Sequence, residues 1–268
     1  MLFRSKEEEQ QGFKVYYPRF FSIPGLFKFM DGLFMAFGSY LLMLRLKREF
    51  KFNIIDAHFA YPDGRAATLL KRWLGVKSTI TLRGTEVPHS KTWLRRLFLI
   101  QALNATDHIF SVSNSLKQHA VSLGIPQEKI DVVGNGVDIT KFIAMDKKIA
   151  RIEFDIPLDG KVLITVGGLC ERKGFHRVLA VMPDLVRVFP NLHYLIFGGP
   201  SAEGDWSDRL KKMVKDLDLK EHVHFLGAMP SENIKKPLSA ADVFVLATRN
   251  EGWANVILEA MACKLPVI

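Results

Sequence analysis

The sequence predicts an α/β protein built from two doubly wound parallel sheets. Short apolar segments such as FNIIDAH and KVLITVGG alternate with helical patterns along the chain. Strands that are continuous apolar runs are typical of parallel sheets covered by helices on both faces. The alternation starts again near the middle of the chain, where the charge balance also changes. We therefore expect two Rossmann-like domains, residues 1–145 and 146–268.

The expected strands and helices follow from the apolar patterns. The first domain has strand segments FNIIDAH, STITLR, HIFSVS and KIDVVG, with helices at about 64–74, 92–104 and 113–123. The second has KVLITVGG, NLHYLIFGG, HVHFLG, ADVFVLA and LPVI, with helices near 175–188, 206–217, 232–239 and 255–263. The segment around 140–160 carries no clear strand, so the boundary is placed there. Two such sheets facing each other would bring their carboxyl strand ends to one cleft, where these folds bind ligands.

Composition indicates a soluble, globular protein. The chain has 268 residues, of which 48% are hydrophobic and 24% charged, as in ordinary folded domains. Its two cysteines, Cys170 and Cys263, are far apart and form no CxxC pair, which argues against a disulfide framework or a zinc site and fits a reducing compartment. The N-terminus is charged from the start, unlike a signal peptide. A cytoplasmic location is expected.

A charge-free stretch lies between Asp31 and Arg45. It is shorter than the roughly 18 residues that a membrane span needs. Its apolar residues recur at helical spacing, which favours a helix buried against a sheet over one that touches a bilayer surface. The apolar residues at this spacing, in the stretch and just before it, are Phe27, Met30, Phe34, Phe37, Leu41 and Leu44.

The net charge of +9 belongs entirely to the first half of the chain. Residues 1–150 hold 22 Lys and Arg against 13 Asp and Glu, whereas the remainder holds 15 of each. An anionic partner is therefore indicated for the first half. Nucleic acid, an anionic membrane and a lipid diphosphate all fit, as does a merely solvated basic face.

Two glutamates near the C-terminus, Glu251 and Glu259, are candidate ligand-binding residues. The strand from Val243 to Leu246 leads into a polar loop containing Glu251, and Glu259 is expected about two turns inside a helix that begins near Asn255. A helix N-terminus at the carboxyl end of a parallel strand is suited to phosphate. A carboxylate in such a helix can accept hydrogen bonds from ribose hydroxyls. An ordinary amphipathic helix is the alternative.

Glycines follow several of the predicted strands. In VGGLCERKGF, Gly167 and Gly168 allow a tight turn, and Lys173 can reach a phosphate, although a solvated lysine would look the same. IFGGP carries Gly198 and Gly199, while HFLG carries Leu226 and Gly227. Glycine at a strand end allows close backbone approach to a flat base, or an ordinary turn.

The first half contributes further candidates at its strand ends. TLRGTE and DAHFAYPDGR place Arg83, Glu86 and His58 where they would face the same cleft, and VVGNGVD ends the first half with an Asn-Gly turn at Asn135.

The order and spacing of these segments resemble those of the retaining glycosyltransferases of family 4, which have the two-Rossmann GT-B fold. The segments are KIDVVGNGVDITKF, VGGLCERKGF, NLHYLIFGGP, HVHFLG and EGWANVILEAMACKLPV, and the resemblance runs from about Asn53 to Ile268. DAHFAYPDGRAA and TLRGTEV look most like the subgroup that makes bacterial cell-surface polysaccharides, similar to teichuronic acid glycosyltransferases.

The resemblance implies a role for each matching residue. Glu251 would lie against the transferred sugar, Glu259 would bind the ribose hydroxyls, and Lys173, with Arg172, would neutralise the diphosphate. Glu251, Arg83 and His58 are the catalytic candidates, and Asn135 lies at the domain junction. The other donor-binding candidates are Gly167, Gly168, Gly198, Gly199, Leu226, Gly227, Gly252 and Asn255.

The resemblance also implies substrates and location. The donor would be a UDP- or GDP-hexose, and the acceptor a lipid-linked or polysaccharide chain, with no metal, no cofactor and no nucleic acid partner. Retention would proceed by front-face attack, assisted by the leaving phosphate, so no protein nucleophile is expected. The basic first half would contact an anionic membrane peripherally, at the inner face of the cytoplasmic membrane.

This chain departs from the family pattern at four places. Gly168 stands where the family commonly has Arg, Arg83 where many members have His, and Lys264 where Gly is usual. The chain also begins near what resembles the third strand and stops on a strand at Ile268, so both domains are expected to be partial and the 268-residue chain inactive by itself.

Three other functions stay in view. A nucleotide-sugar-binding or scaffold protein without chemistry is suggested by Gly168. A sugar-nucleotide epimerase of the same architecture is disfavoured, because it would not supply the EGWANVILEAMA spacing. A nicotinamide dehydrogenase is disfavoured because no GxGxxG follows a strand.

Overall fold

The computed structural model describes residues 7–10, 12–23 and 27–268. The chain divides into two compact units, Met1–Gly134 and Asn135–Ile268, which are described separately. The division falls before the predicted boundary at 145/146, because the connecting segment packs into the second unit. Phe142, Ala150 and Ile156 are buried in the core of that unit.

Unit 1 contains a four-stranded parallel sheet whose strands lie side by side in chain order, preceded by an antiparallel hairpin, Glu7–Gln10 with Phe13–Tyr16, that the sequence did not predict. The strands are β1 (Glu7–Gln10), β2 (Phe13–Tyr16), β3 (Ile54–His58), β4 (Lys77–Leu82), β5 (His108–Ser111) and β6 (Ile130–Val132). The helices are α1 (Asp31–Phe50), α2 (Arg65–Leu74), α3 (Glu86–His89), α4 (Trp93–Ala105) and α5 (Asn114–Ser122). The four predicted strands and three predicted helices are confirmed, with ends that differ from the prediction by at most two residues.

Helix α1 packs differently from the prediction. Its buried residues Gly32, Ala36 and Ser39 are small, and Ala36 packs with residues of α2 rather than against the face of a sheet. Phe37 and Leu41 are 62% and 76% exposed. The segment Lys28–Phe50 is also long and apolar enough, by length and composition, to cross a membrane, with 17% of the window buried. The predicted burial against a sheet is therefore wrong for this face.

Unit 2 also contains a four-stranded parallel sheet, in which the last strand along the chain lies at one edge beside the first, and the second and third follow. The strands are β7 (Lys161–Val166), β8 (Leu192–Phe197), β9 (Val223–Gly227) and β10 (Val243–Phe244), and the helices are α6 (Lys147–Glu153), α7 (Phe175–Val188), α8 (Ser207–Asp216), α9 (Lys235–Ala240) and α10 (Asn255–Ala262). The predicted strand LPVI is reduced to a parallel bridge between Phe244 and Val267. Apolar clusters cover both faces of this sheet, and the α/β fold class is confirmed.

Local sequence explains where several helices begin. Ser113 caps α5 by accepting a hydrogen bond from the Leu116 N–H, and Asp146 caps α6 by accepting from Lys148 and Ile149. Because every strand of both sheets is parallel, the loops that follow them lie at one edge of each sheet. The candidate residues follow strands, and are therefore gathered at those edges.

Candidate functional site

The glycine loops of unit 2 pack directly on one another at the carboxyl edge of its sheet. The Gly167 N–H donates to the Phe197 carbonyl at 3.0 Å, and the Gly198 N–H donates to the Gly227 carbonyl at 2.9 Å. Gly198 has φ +151°, and a Cβ there would lie 1.8 Å from the Gly167 carbonyl oxygen. Glycine is thus required at 198 by close backbone approach. Gly199 continues this loop and accepts a hydrogen bond from the Leu169 N–H at 2.8 Å.

Gly174 fixes the entry to α7. Its φ is +77°, and a Cβ at this position would lie 1.9 Å from the Ala247 carbonyl oxygen. The loop after β7 can therefore approach the loop after β10 only with glycine here. This approach places the preceding helical turn, Glu171–Lys173, beside Glu251.

Glu251 lies within a compact network of donors. Its Oε1 accepts hydrogen bonds from Lys173 Nζ at 2.7 Å, Arg172 Nη1 at 2.8 Å and Thr248 Oγ1 at 3.1 Å. The side chains of Glu251 and Lys173 are 20% and 16% exposed, so their charge-assisted bonds are partly shielded from water. The structure thus brings together Glu251 and the adjacent pair Arg172 and Lys173, which the sequence predicted from two separate segments.

Glu259 lies on α10, as predicted, but as its fifth residue, just over one turn from the start rather than two. Burial raises the pKa of its carboxyl, and the nearby charge of Lys141 opposes that shift. Asn255 begins the same helix, and its Oδ1 accepts a hydrogen bond from Asn135 Nδ2 at 2.7 Å. Asn135 therefore tethers α10 within unit 2, and its role between domains stays a prediction.

The remaining donor-binding candidates of unit 2 occupy the same edge. Gly252 lies in the loop between β10 and α10, and Gly227 ends β9 with φ +72°. Leu226 is partly buried against the apolar core, so its side chain supports the sheet. Their contacts with a ligand stay predictions.

In unit 1, His58 and Arg83 are brought together at the carboxyl ends of β3 and β4. Arg83 Nε donates to His58 Nδ1 at 2.8 Å, while His58 Nε2 lies 3.0 Å from Asp56 Oδ2. Since Nδ1 accepts, Nε2 carries the proton and donates to Asp56. Asp56 in turn accepts from Thr79 Oγ1 at 2.5 Å. The result is an exposed, oriented imidazole at the strand end.

Glu86 does not act as the sequence suggested. It is only 2% exposed, and its carboxylate accepts hydrogen bonds from the backbone N–H groups of Ala60, at 3.2 Å, and Gly84, at 2.7 Å. A buried carboxylate that pairs with backbone donors fixes the two loops that follow β3 and β4. The expectation that Glu86 faces an open cleft is therefore wrong.

Sequence reasoning missed four residues of these clusters. Asp56 shares a face of β3 with His58, since residues two apart on a strand point the same way, and this signal was available. Thr248 and Asn250 enter only because their loop touches Arg172; the Asn250 carbonyl accepts from Arg172 Nη1 at 2.9 Å. Glu203 binds the same guanidinium from a loop with no recognisable motif.

Histidines of unit 2 gather elsewhere. His193 Nδ1 lies 3.0 Å from His224 Nε2 near the starts of β8 and β9, and the His222 ring is 6.0 Å from that of His193. Within the described ranges 7–10, 12–23 and 27–268, no group of three or more His, Cys, Asp or Glu side chains is arranged to hold a metal ion.

Comparison with known families identifies the chain. The model for "Glycosyltransferase Family 4" matches residues 3–141, more than half of the sequence. The chain belongs to glycosyltransferase family 4. The model for "Glycosyl transferases group 1" matches residues 146–268, so the two family matches together take in both units.

Curated relatives of the family 4 chain are distant and longer. It is 27% identical over 271 residues to the putative teichuronic acid biosynthesis glycosyltransferase TuaC of Bacillus subtilis, covering 99% of this chain and 64% of TuaC. It is 29% identical over 250 residues to the D-inositol 3-phosphate glycosyltransferase of Corynebacterium urealyticum, covering 87% of this chain and 58% of that protein. The chain thus spans about three-fifths of the length of these relatives.

Solved structures share the family 4 fold. Sucrose-phosphate synthase from Thermosynechococcus elongatus matches with a TM-score of 0.79 and 18% identity, over 98% of this chain and 67% of that one. HepE of Anabaena in complex with UDP matches with a TM-score of 0.74 and 19% identity, over 85% of this chain and 62% of that one. At these identities the likeness establishes the GT-B fold alone.

Proposed function

We propose that this chain carries the donor site of a retaining glycosyltransferase. The enzyme would transfer a hexose from a nucleoside-diphosphate sugar to a lipid-linked or polysaccharide acceptor during synthesis of a cell-surface glycan. The observation that carries the proposal is the network of Lys173, Arg172 and Glu251 at the carboxyl edge of the unit 2 sheet. Parallel α/β sheets bind ligands at this edge.

The network residues and Glu259 suit different parts of the donor. Lys173 and Arg172 would neutralise the charge that grows on the diphosphate as the sugar leaves, which is the main electrostatic contribution in such a reaction. Glu259, one turn inside α10, would accept hydrogen bonds from the ribose hydroxyls. Glu251, held in place by Lys173 and Thr248, would contact the transferred sugar.

The relatives support a nucleotide-sugar donor without fixing the base. A UDP complex of a protein with the same fold favours UDP, whereas a GDP-mannose-dependent mannosyltransferase of Mycolicibacterium smegmatis, 28% identical over 84% of this chain, favours GDP. Both nucleotides are therefore tested. The sugar and the acceptor belong to the proposal only as classes.

Isothermal titration of UDP and GDP, separately, into the 268-residue chain tests the donor site. We expect one nucleotide to bind, and Lys173→Ala or Glu259→Ala to weaken it by at least about tenfold, as expected when a charged hydrogen-bonding partner is lost. Lys161→Ala is the matched control, because Lys161 starts β7 at the opposite edge of the same sheet. Failure of both nucleotides to bind would contradict the proposal.

A second measurement separates the enzyme from a scaffold that only binds. Release of nucleoside diphosphate from the matching nucleotide sugar, with a lipid-linked acceptor present, is expected for a transferase. Nucleotide binding with no release, in a form as long as the relatives, would favour the binding protein.

We also propose that unit 1 contacts an anionic membrane through the exposed face of α1. Phe37, Leu41 and Arg48 are exposed and lie four and seven residues apart, so they share one face of the helix. Trp73 extends the apolar area, with its ring 5.0 Å from that of Phe37. The excess of basic residues in this half of the chain complements an anionic surface. We propose a peripheral position for this contact, at the inner face of the cytoplasmic membrane.

Vesicle co-sedimentation tests the membrane proposal. Vesicles containing phosphatidylglycerol should bind the chain, pure phosphatidylcholine vesicles should bind it less, and alkaline carbonate should release it. Leu41→Glu should lower binding by about tenfold or more, because a buried leucine contributes roughly 1.5–3 kcal/mol. Ile149→Glu is the control, since Ile149 is also exposed on a basic helix, but in unit 2. Equal loss in both variants, or resistance to carbonate, would overturn a peripheral contact through α1.

A further inference from the structure

The Ser201–Gly204 turn, which follows β8, lies against Gly168. A Cβ at Gly168 would be 2.7 Å from Ser201 Cβ, so the turn occupies the space that the first atom of any side chain at 168 would need. The turn is closed by hydrogen bonds in both directions between the backbones of Ser201 and Gly204, each 3.1 Å long. The absence of a side chain at 168 thus allows this turn to pack closely over the loop after β7.

The turn brings Glu203 to Arg172. Arg172 Nε donates to Glu203 Oε2 and Arg172 Nη2 donates to Glu203 Oε1, both at 2.6 Å. This is a bidentate pair, in which the two acceptors lie where two phosphate oxygens would bind the same guanidinium. The hydrogen bonds from Arg172 lower the pKa of the Glu203 carboxyl, so this carboxylate is an anion at neutral pH.

The other side of Arg172 is fixed independently of Glu203. Its Nη1 donates to Glu251 Oε1 at 2.8 Å and to the Asn250 carbonyl oxygen at 2.9 Å. Removing the Glu203 carboxylate therefore leaves the guanidinium in position. The Glu203 side chain is 50% exposed, so water can replace the carboxylate when it leaves.

From this geometry we propose that Glu203 is an internal competitor for the diphosphate of the donor. It occupies the guanidinium of Arg172 in the free protein, and donor binding exchanges its carboxylate for a phosphate oxygen pair. This inference rests on the proposed donor site and adds a determinant of its affinity. Lys173 Nζ donates to Glu251 Oε1 at 2.7 Å, and its charge reaches Glu203 only as a coulombic attraction, so Lys173 would bind phosphate without a direct exchange of partners.

Calorimetric titration of inorganic pyrophosphate and of UDP or GDP into the 268-residue chain tests the competition. Glu203→Gln removes the charge and keeps the shape, and should raise affinity for both ligands by about two- to tenfold, the range expected for an exposed but bidentate ion pair. Glu171→Gln is the matched control, because it removes an acid next to Arg172 in sequence. The control should change affinity less than about twofold.

A double-mutant cycle shows whether Glu203 acts through Arg172. In an Arg172→Ala background, Glu203→Gln should give no gain, because the competed cation is gone. The gain in the wild-type background should also shrink at high ionic strength. Circular dichroism of each variant checks that it is folded.

Each outcome decides between the alternatives. Weaker ligand binding by Glu203→Gln would show that Glu203 only holds Arg172 in place, and would overturn the competition. An unchanged affinity, an equal gain in Glu171→Gln, or no pyrophosphate binding by any variant would also overturn it. Tighter pyrophosphate binding by Glu203→Gln with no UDP or GDP binding by any variant would support the competition and contradict the proposed nucleotide donor.

Discussion

Two glutamates that follow parallel strands, Glu86 in unit 1 and Glu251 in unit 2, serve different purposes. Glu86 is buried and accepts hydrogen bonds from two backbone N–H groups. Glu251 is partly exposed and accepts from the side chains of Lys173, Arg172 and Thr248. A glutamate that follows a parallel strand thus supports loops in one unit and pairs with cationic side chains in the other. The role of each glutamate depends on whether its carboxylate accepts hydrogen bonds from backbone N–H groups or from side chains.

The largest expected effect is on chemistry in unit 2. In a form as long as the relatives, because the 268-residue chain is expected to be inactive by itself, Glu251→Ala should lower release of nucleotide from the donor sugar by about 10²–10³-fold, the range seen when one preorganised polar group of an active site is removed. Binding of the nucleotide alone should persist, because Lys173 remains. Steady-state rates together with nucleotide titration measure the two effects. If Glu251→Ala instead prevented folding, Glu251 would have a structural role like that of Glu86, and its proposed role in turnover would be contradicted.

Glu86→Ala should instead destabilise unit 1. It leaves the Ala60 and Gly84 N–H groups without their acceptor, and we expect a loss of about 2–4 kcal/mol from the unfolding free energy. Amide hydrogen exchange should become faster in β3 and β4 but not in β7 and β8. Glu86→Gln keeps one acceptor oxygen and should cost less. Equal exchange rates in wild type and Glu86→Ala would contradict the structural role of Glu86, and with it the difference proposed between the two glutamates.

A smaller effect is expected from the histidines of unit 2. Burial and the neighbouring His224 and His222 lower the pKa of His193. The unfolded chain then binds a proton more readily than the folded unit, so stability is full above about pH 6.5 and falls as the pH drops below that value. Urea unfolding across this pH range measures the loss.

His193→Gln should flatten this pH dependence. His119→Gln, which removes a histidine of unit 1 whose Nε2 lies 3.1 Å from Ser90 Oγ, should not. An unchanged slope in His193→Gln would show that other groups set the pH response of unit 2.

The smallest effect concerns the backbone after α10. Lys264 has φ +61°, the left-handed conformation that the resemblance suggested by placing Gly here. Lys264→Gly should therefore stabilise unit 2 by about 0.5–1 kcal/mol, since only glycine adopts this conformation without steric cost. Thermal unfolding measures the gain, and Lys161→Gly, in β7, should destabilise instead. A lower melting temperature for Lys264→Gly would contradict the argument.

Much of the fold could be predicted because its signals are local. The apolar runs and helical periods located eight of the ten strands in the part of the chain that the structure describes, the hairpin strands β1 and β2 being missed, and the glycines at 174 and 198 follow from motifs. The hairpin and the short α3 were not predicted from the sequence, because four-residue elements carry little periodicity. The exposure of one face of α1 was also not predicted, since its apolar residues give the same sequence pattern whether they pack on a sheet or face solvent.

The sequence by itself determined the alternation of strands and helices, the family, and the candidates Lys173, Glu251 and Glu259, since each depends on spacing along the chain. Only the tertiary structure decided which charges meet. Arg172 lies between Glu203 and Glu251, 31 and 79 residues away, because three loops converge at one sheet edge. It also decided that Glu86 is buried. Pairing and burial depend on what other segments bring to a residue, and no local pattern records that.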